Sequence, residues 1–365
     1  MQNTDKASYG GLPPIAEKSV KADPLRPARI EDVEFGTMFT PNMFLMRFKD
    51  GAWRDAATVP VYELSIHPGA TVLHYAQEIF EGLKAYRQPN GDITLFRPEM
   101  NARRMNESAR RMSMPLVPEE LFLEAATRLV TAERQNVPPS PGTLYIRPTM
   151  IGVTPYVKVS SANEFIFYML TLVTGPYFKG TTGRDPGSVR VLVARSVTRA
   201  SKGGTGAVKA GANYAVTLEI TTTAKNLGCG QVMFLDARTE RLVEEMGGMN
   251  VFFVMDGALV TPPLGGTILP GVTRDSLMTI ARDLNIPVRD EPIAIDAVIE
   301  GLESGHVTEA MACGTAAVVA GIGSFVFEDG SEIKVPGATP GPVTQRLFNN
   351  DANVRAGSFG VITVP

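Results

Sequence analysis

A chain of 365 residues, 44% hydrophobic and 20% charged, is long enough for about two globular domains. Its formal net charge of -3, with Lys and Arg scattered rather than striped, gives nucleic-acid capture little to rest on. His67, His74 and His306 are too dispersed for a metal motif, and Cys229 and Cys313 lack CxxC spacing, which fits free thiols in a reducing, cytoplasmic setting.

The first thirty residues lack the apolar core of a secretory signal and read as a surface extension. "DG" at 50–51 and "NG" at 90–91 are hairpin signals, where positive φ suits a tight turn, so the N-terminal part is expected to be strand-rich. Met105, Ala109 and Met112 recur at helical spacing and predict a helix over 97–112; a second is expected after Pro118. The longest apolar run, "FIFYMLTLV" at 165–173, is too short for a membrane span, which needs roughly 18 residues, and reads as a buried strand. "KGTTGRDPGS" at 179–188 has turn-type composition without apolar periodicity and predicts a linker. It divides the chain into a smaller N-terminal domain, 1–178, and a larger C-terminal one, 189–365. Strands are expected at 189–194 and 231–237, a hairpin at 251–260 and an amphipathic helix at 273–284, an α/β (α+β) pattern overall.

Several short stretches bear on chemistry. "GAVKAGANYA" at 206–215 sets Lys209 among small and apolar residues with no carboxylate nearby in sequence and brings Tyr214 five residues later. An ammonium held out of water gives up its proton more readily, and a neutral amine attacks carbonyls. The same lysine could equally snorkel to the surface from a glycine loop. A phosphate loop is a poor match, because Lys209 lies between Val208 and Ala210 rather than between Gly and Ser or Thr.

"LPGVTRDSL" at 269–277 marks a helix start whose amides suit a phosphate, and "CGTAAVVAG" at 313–321 offers a small-residue turn able to hold a carboxylate or phosphate. Either is also ordinary structure. In "RLVEEMGGMN", Glu245 precedes two glycines that would let a flat ring approach; paired acids otherwise mark a solvated face. In "LYIRPTMIG" the strand period puts Tyr145 and Arg147 on one face, where the arginine could grip a substrate carboxylate or a structural acid.

Together, one lysine, two phosphate-capable turns, an acid before glycines and a Tyr-x-Arg pair describe a pyridoxal phosphate site. "FEGLKAYR", "LFRPEMNARRM", "LYIRP", "GAVKAGANYA", "EEMGGMN", "LPGVTRDSL" and "CGTAA" occur in an order and spacing that resembles the branched-chain-amino-acid aminotransferases, two-domain pyridoxal phosphate enzymes of fold type IV. The resemblance spans about residues 35–350.

It implies that Lys209 carries the cofactor as a Schiff base and moves the substrate's α-proton. Tyr214 would bond the cofactor's phenolic oxygen, Glu245 its ring nitrogen, and Arg104, Val272, Thr273 and Thr315 its phosphate, with Leu269 and Gly248 flanking the ring. For the substrate it implies a carboxylate at Thr315 and Ala316, a branched side chain against Phe80, Tyr145 and Tyr177, and Arg147 on the distal carboxylate of glutamate or 2-oxoglutarate. Tyr75 matches a tyrosine that the family's partner subunit contributes, implying a homodimer.

Two departures from animal relatives are expected to matter: Gly248 replaces a threonine, and Ala317 and Ala320 replace a redox CxxC. The expected activity is amino transfer between Leu, Ile or Val and 2-oxoglutarate. A D-amino-acid aminotransferase or aminodeoxychorismate lyase of the same fold is disfavoured by Tyr145-x-Arg147 with "FEGLKAYR". A non-catalytic phosphate- or nucleotide-binding protein is the alternative from another class.

Overall fold

In the computed structural model the described residues are 12–62, 64–177, 187–337, 339–356 and 361–364. They form two nine-stranded sheets, the mixed α and β architecture expected.

The first sheet grows from the early hairpin. Asp50 (φ 52°) and Gly51 (φ 75°) turn the chain between Met38–Lys49 and Ala52–Pro60, both central residues taking the positive φ of a type I′ turn. The "NG" turn is built differently. Pro89 fixes its own φ negative, so the Gly91 amide closes a turn on Gln88 O (2.9 Å) and only Gly91 is left-handed (φ 89°). Phe165–Thr174 and Thr143–Gly152 follow in the sheet, then Leu83–Arg87 and Ile93–Phe96.

Helices Pro98–Arg111 and Glu119–Ala132 cover one face, burying Met105, Leu121, Phe122 and Leu129 against Phe44, Ile146, Met150 and Phe167. By the period of two, Tyr145, Arg147 and Thr149 then point from the opposite face.

The second sheet begins at Ser188–Ala194, so the expected linker has already ended by Ser188; residues 179–186 lie outside the described ones. Around that strand stand Gln231–Leu235 and Val243–Met246 on one side, and Val318–Phe327, Val307–Gly314, Asn250–Met255 and Ala258–Thr261 on the other. Helices Val272–Asp283 and Pro342–Ala356 pack on one face and Ile295–Ser304 on the other. The last described strand, Val361–Val364, returns to pair with Ile93–Phe96, so the end of the chain belongs to the first sheet rather than to the unit expected over 189–365. Among the described residues no helix is long and apolar enough to cross a membrane.

Candidate active site

Lys209 lies on the seam between the sheets. Its carbonyl accepts the Phe80 amide (3.0 Å), its amide donates to Ser108 Oγ (3.0 Å), and the next residue bridges to Ile79. Asn213 pins the loop from within, donating to the carbonyls of Thr205 and Val208 at 2.8 Å each. The chain thus fixes the lysine's backbone on both sides before its side chain begins. Nζ donates to Tyr214 Oη (2.9 Å) and lies 4.9 Å from the centre of the Phe80 ring. Among the described residues it makes no ion pair.

Every residue expected at the cofactor, Arg104, Lys209, Tyr214, Glu245, Gly248, Leu269, Val272, Thr273 and Thr315, lines one cleft of about 430 Å³. Gly248 forms a flat stretch of its wall, since a Cβ there would meet nothing within 4 Å. Glu245 is the last residue but one of the strand Val243–Met246 beside it. Burial pushes its carboxyl up to about 7, against the pull of Arg199, the Leu269 amide and Lys209. One oxygen accepts the Leu269 amide (3.0 Å) and meets Arg199 Nη2 (2.6 Å); the other accepts Asn250 Nδ2 (3.1 Å). The arrangement leaves that second oxygen room for another donor.

Arg104 closes one end. Burial disfavours the charge of its partner Glu81, yet the guanidinium, bonded at 2.7 and 2.8 Å, holds that carboxyl below its ordinary value. A third N–H goes to Pro270 O (2.9 Å), which leaves two of the five guanidinium N–H groups for a ligand. Beside it begins helix Val272–Asp283, whose N-cap Gly271 has no side chain to cap the first amides. A Cβ on Gly271 would sit 2.0 Å from Asn250 Oδ1, so only glycine permits this approach.

The residues expected around the substrate divide into two groups. Arg147 Nη2 donates to Tyr145 Oη (3.2 Å), and the guanidinium carbon lies 4.8 Å from the Phe80 ring centre. Burial works against its charge, but the Tyr145 hydroxyl, then Tyr214 and last Glu78 hold its pKa above the ordinary value. Phe35 stands between Tyr145 (4.9 Å) and Tyr177 (5.2 Å), joining them into one aromatic wall. Thr315 and Ala316 form the turn between Val307–Gly314 and Val318–Phe327, held from the other sheet by Lys84 Nζ on Ala316 O (2.6 Å). Tyr75 stands apart, 38% exposed at the end of helix Thr71–Tyr75.

Four contributors are not among the residues expected from the sequence: Arg199, Glu81, Phe35 and Lys84. Glu81 and Lys84 lie inside "FEGLKAYR", but their partners are 23 and 232 residues away. Arg199 and Phe35 sit in no chemically suggestive stretch, and nothing short of the fold reveals them.

The model for amino-transferase class IV matches residues 78–325. The branched-chain-amino-acid aminotransferase of Mycolicibacterium smegmatis is 40% identical over 94% of each chain. Branched-chain-amino-acid transaminase 1 of Bacillus subtilis is 41% identical over 88% of this chain and 90% of its own. Among solved structures, a branched-chain aminotransferase from Thermoproteus uzoniensis with norvaline superposes with a TM-score of 0.72 at 25% identity, over 89% of this chain and all of the other.

Proposed function

The chain belongs to amino-transferase class IV, and on that premise we propose that it is a branched-chain-amino-acid transaminase exchanging the amino group of Leu, Ile or Val with 2-oxoglutarate. Its cofactor is pyridoxal 5′-phosphate. When bound, this cofactor supplies an aldehyde carbon for an amine and a ring that withdraws electrons from the substrate's α-C–H bond.

The donor set of the cleft suits that cofactor. Arg104's two remaining N–H groups, with the amides of Val272 and Thr273 and the hydroxyl of Thr315, take the phosphate. Glu245 keeps a proton on the ring nitrogen, with Arg199 favouring its ionised form. Gly248, with open space where a Cβ would stand, and Leu269 would flank the ring. Tyr214 orients Lys209 Nζ, which takes the proton from the substrate's α-carbon and returns it.

The Thr315–Ala316 turn receives the substrate's α-carboxylate. Phe80, Tyr145 and Tyr177 exclude water around an aliphatic side chain, and Arg147 pairs with a distal carboxylate. What carries the substrate reading is Arg147 itself, whose Nε is buried and, among the described residues, unpartnered beside an aromatic wall. The reading places the enzyme in the cytoplasm, in keeping with two buried cysteines that form no disulfide among the described residues. It also makes the enzyme a homodimer, with Tyr75 reaching the other subunit's site.

Half-reaction kinetics test the proposal. Arg147→Ala is expected to lower kcat/KM for 2-oxoglutarate about 100-fold while lowering it no more than about fivefold for 2-oxoisocaproate, because only the former presents a second carboxylate. Equal losses would make the arginine structural.

A further inference from the structure

The strand Glu78–Phe80 pairs antiparallel with Thr143–Gly152, with Glu78 opposite Ile151 and Phe80 opposite Thr149. Residues directly opposite in such a pair share a face, and so do residues two apart. Glu78, Phe80, Thr149 and Arg147 therefore all point to the substrate side.

The Glu78 carboxylate is half-buried there. Its Oε2 would lie 2.6 Å from a Cβ on Gly211, so it rests directly against the backbone two residues beyond Lys209. Among the described residues it makes no hydrogen bond and no ion pair, and its charge interacts with that of Arg147. Arg147 in turn has no carboxylate in ion-pair contact among the described residues, a buried unpartnered Nε, and only the Tyr145 hydroxyl on Nη2.

A single pocket that accepts both an aliphatic and an acidic side chain faces opposing demands. A buried arginine with no counter-ion would be stranded whenever leucine is bound. A tight internal ion pair would have to break each time glutamate arrives. A carboxylate nearby but out of contact meets both demands.

We propose that Glu78 is a specificity-determining residue, the built-in counter-ion of Arg147, which balances that charge over an aliphatic side chain and competes with the distal carboxylate of an acidic one. The inference rests on Arg147 being the group that receives the distal carboxylate. Burial pushes the Glu78 carboxyl up and Arg147 draws it back down, as expected of a loosely held partner.

The test uses holoenzyme and the ratio of kcat/KM for 2-oxoglutarate to that for 2-oxoisocaproate. Glu78→Gln raises the ratio about three- to tenfold, opposite in sign to Arg147→Ala. Glutarate, an unreactive dicarboxylate, binds tighter by a similar factor, and 4-methylpentanoate does not. Glu78→Asp keeps the charge and holds the ratio near that of the parent enzyme. In the Arg147→Ala background, Glu78→Gln leaves the ratio where the first substitution put it. A Glu78→Gln ratio that stays constant or falls overturns the inference while leaving the Arg147 reading intact, and so does a rise of equal size without Arg147. An Arg147→Ala enzyme that loses kcat/KM equally for the two acids overturns both.

Discussion

Glu245 is pulled in opposite directions, by burial toward its neutral form and by Arg199, the Leu269 amide and Lys209 toward its charged form. Burial wins in the cofactor-free chain, with a value near 7, well above the roughly 4.3 of an unfolded glutamate. A raised carboxyl adds stability that is complete below about pH 4.3 and is lost as pH rises through about 7. In denaturant unfolding of cofactor-free protein, Glu245→Gln is expected to remove a pH-dependent component of as much as about 3 kcal/mol between pH 5 and 8. A stability difference between the two proteins that stays flat over that range would refute this account of the residue. Lys209 and Glu245 are legible at this scale because each carries chemistry in its own short motif, whereas Arg104 is placed only by the family resemblance. Arg199 is not legible, since its meaning comes entirely from a partner 46 residues away, across the cleft floor.

At the level of elements, the site depends on turns and helix ends held across the seam. The turn between Val307–Gly314 and Val318–Phe327 ends on Val318 at φ 65°, a conformation a β-branched residue adopts only under constraint. Lys84, buried in the first sheet, supplies one such constraint through the Ala316 carbonyl. Lys84→Met retains the bulk and removes the bond. If this turn receives the α-carboxylate that every substrate carries, as proposed, KM for 2-oxoglutarate and 2-oxoisocaproate should rise together, by about tenfold, with their ratio unchanged. An effect confined to one acid would place Lys84 in side-chain recognition instead. Element boundaries were legible where turn chemistry is local, as at Asp50-Gly51 and the Asp256-Gly257 hairpin. The helix Ile295–Ser304 leaves little mark in the sequence although Gly305 (φ 84°) ends it, because its ten residues give a short apolar period and Gly301 weakens the pattern. Gly301 is there for packing, as a Cβ would meet Val307 Cγ2 at 2.5 Å.

Across the whole molecule, the face opposite the helices of the first sheet holds the cluster Met43, Leu45, Ile151 and Ile166 with Val59, Leu64 and Val72 packed on it. Next to these in sequence are the exposed Val61, Tyr62, Leu73 and Tyr75. Such a surface fits burial against a second copy of the chain. If Tyr75 completes the neighbouring site, Tyr75→Asp protein and Lys209→Ala protein are each expected to be impaired, and a mixture refolded together should recover activity in hybrid dimers. A mixture that gains nothing would restrict each site to one chain. The return of Val361–Val364 to the first sheet was illegible in sequence, because strand pairing over more than 260 residues leaves no local mark.

Peptide mapping after borohydride reduction reads out one nitrogen, Lys209 Nζ, directly. Holoenzyme reduced with borohydride and digested should carry the phosphopyridoxyl group on the peptide containing Lys209 and on no other lysine. Label on a different lysine, with Lys209 unmodified, would contradict the account.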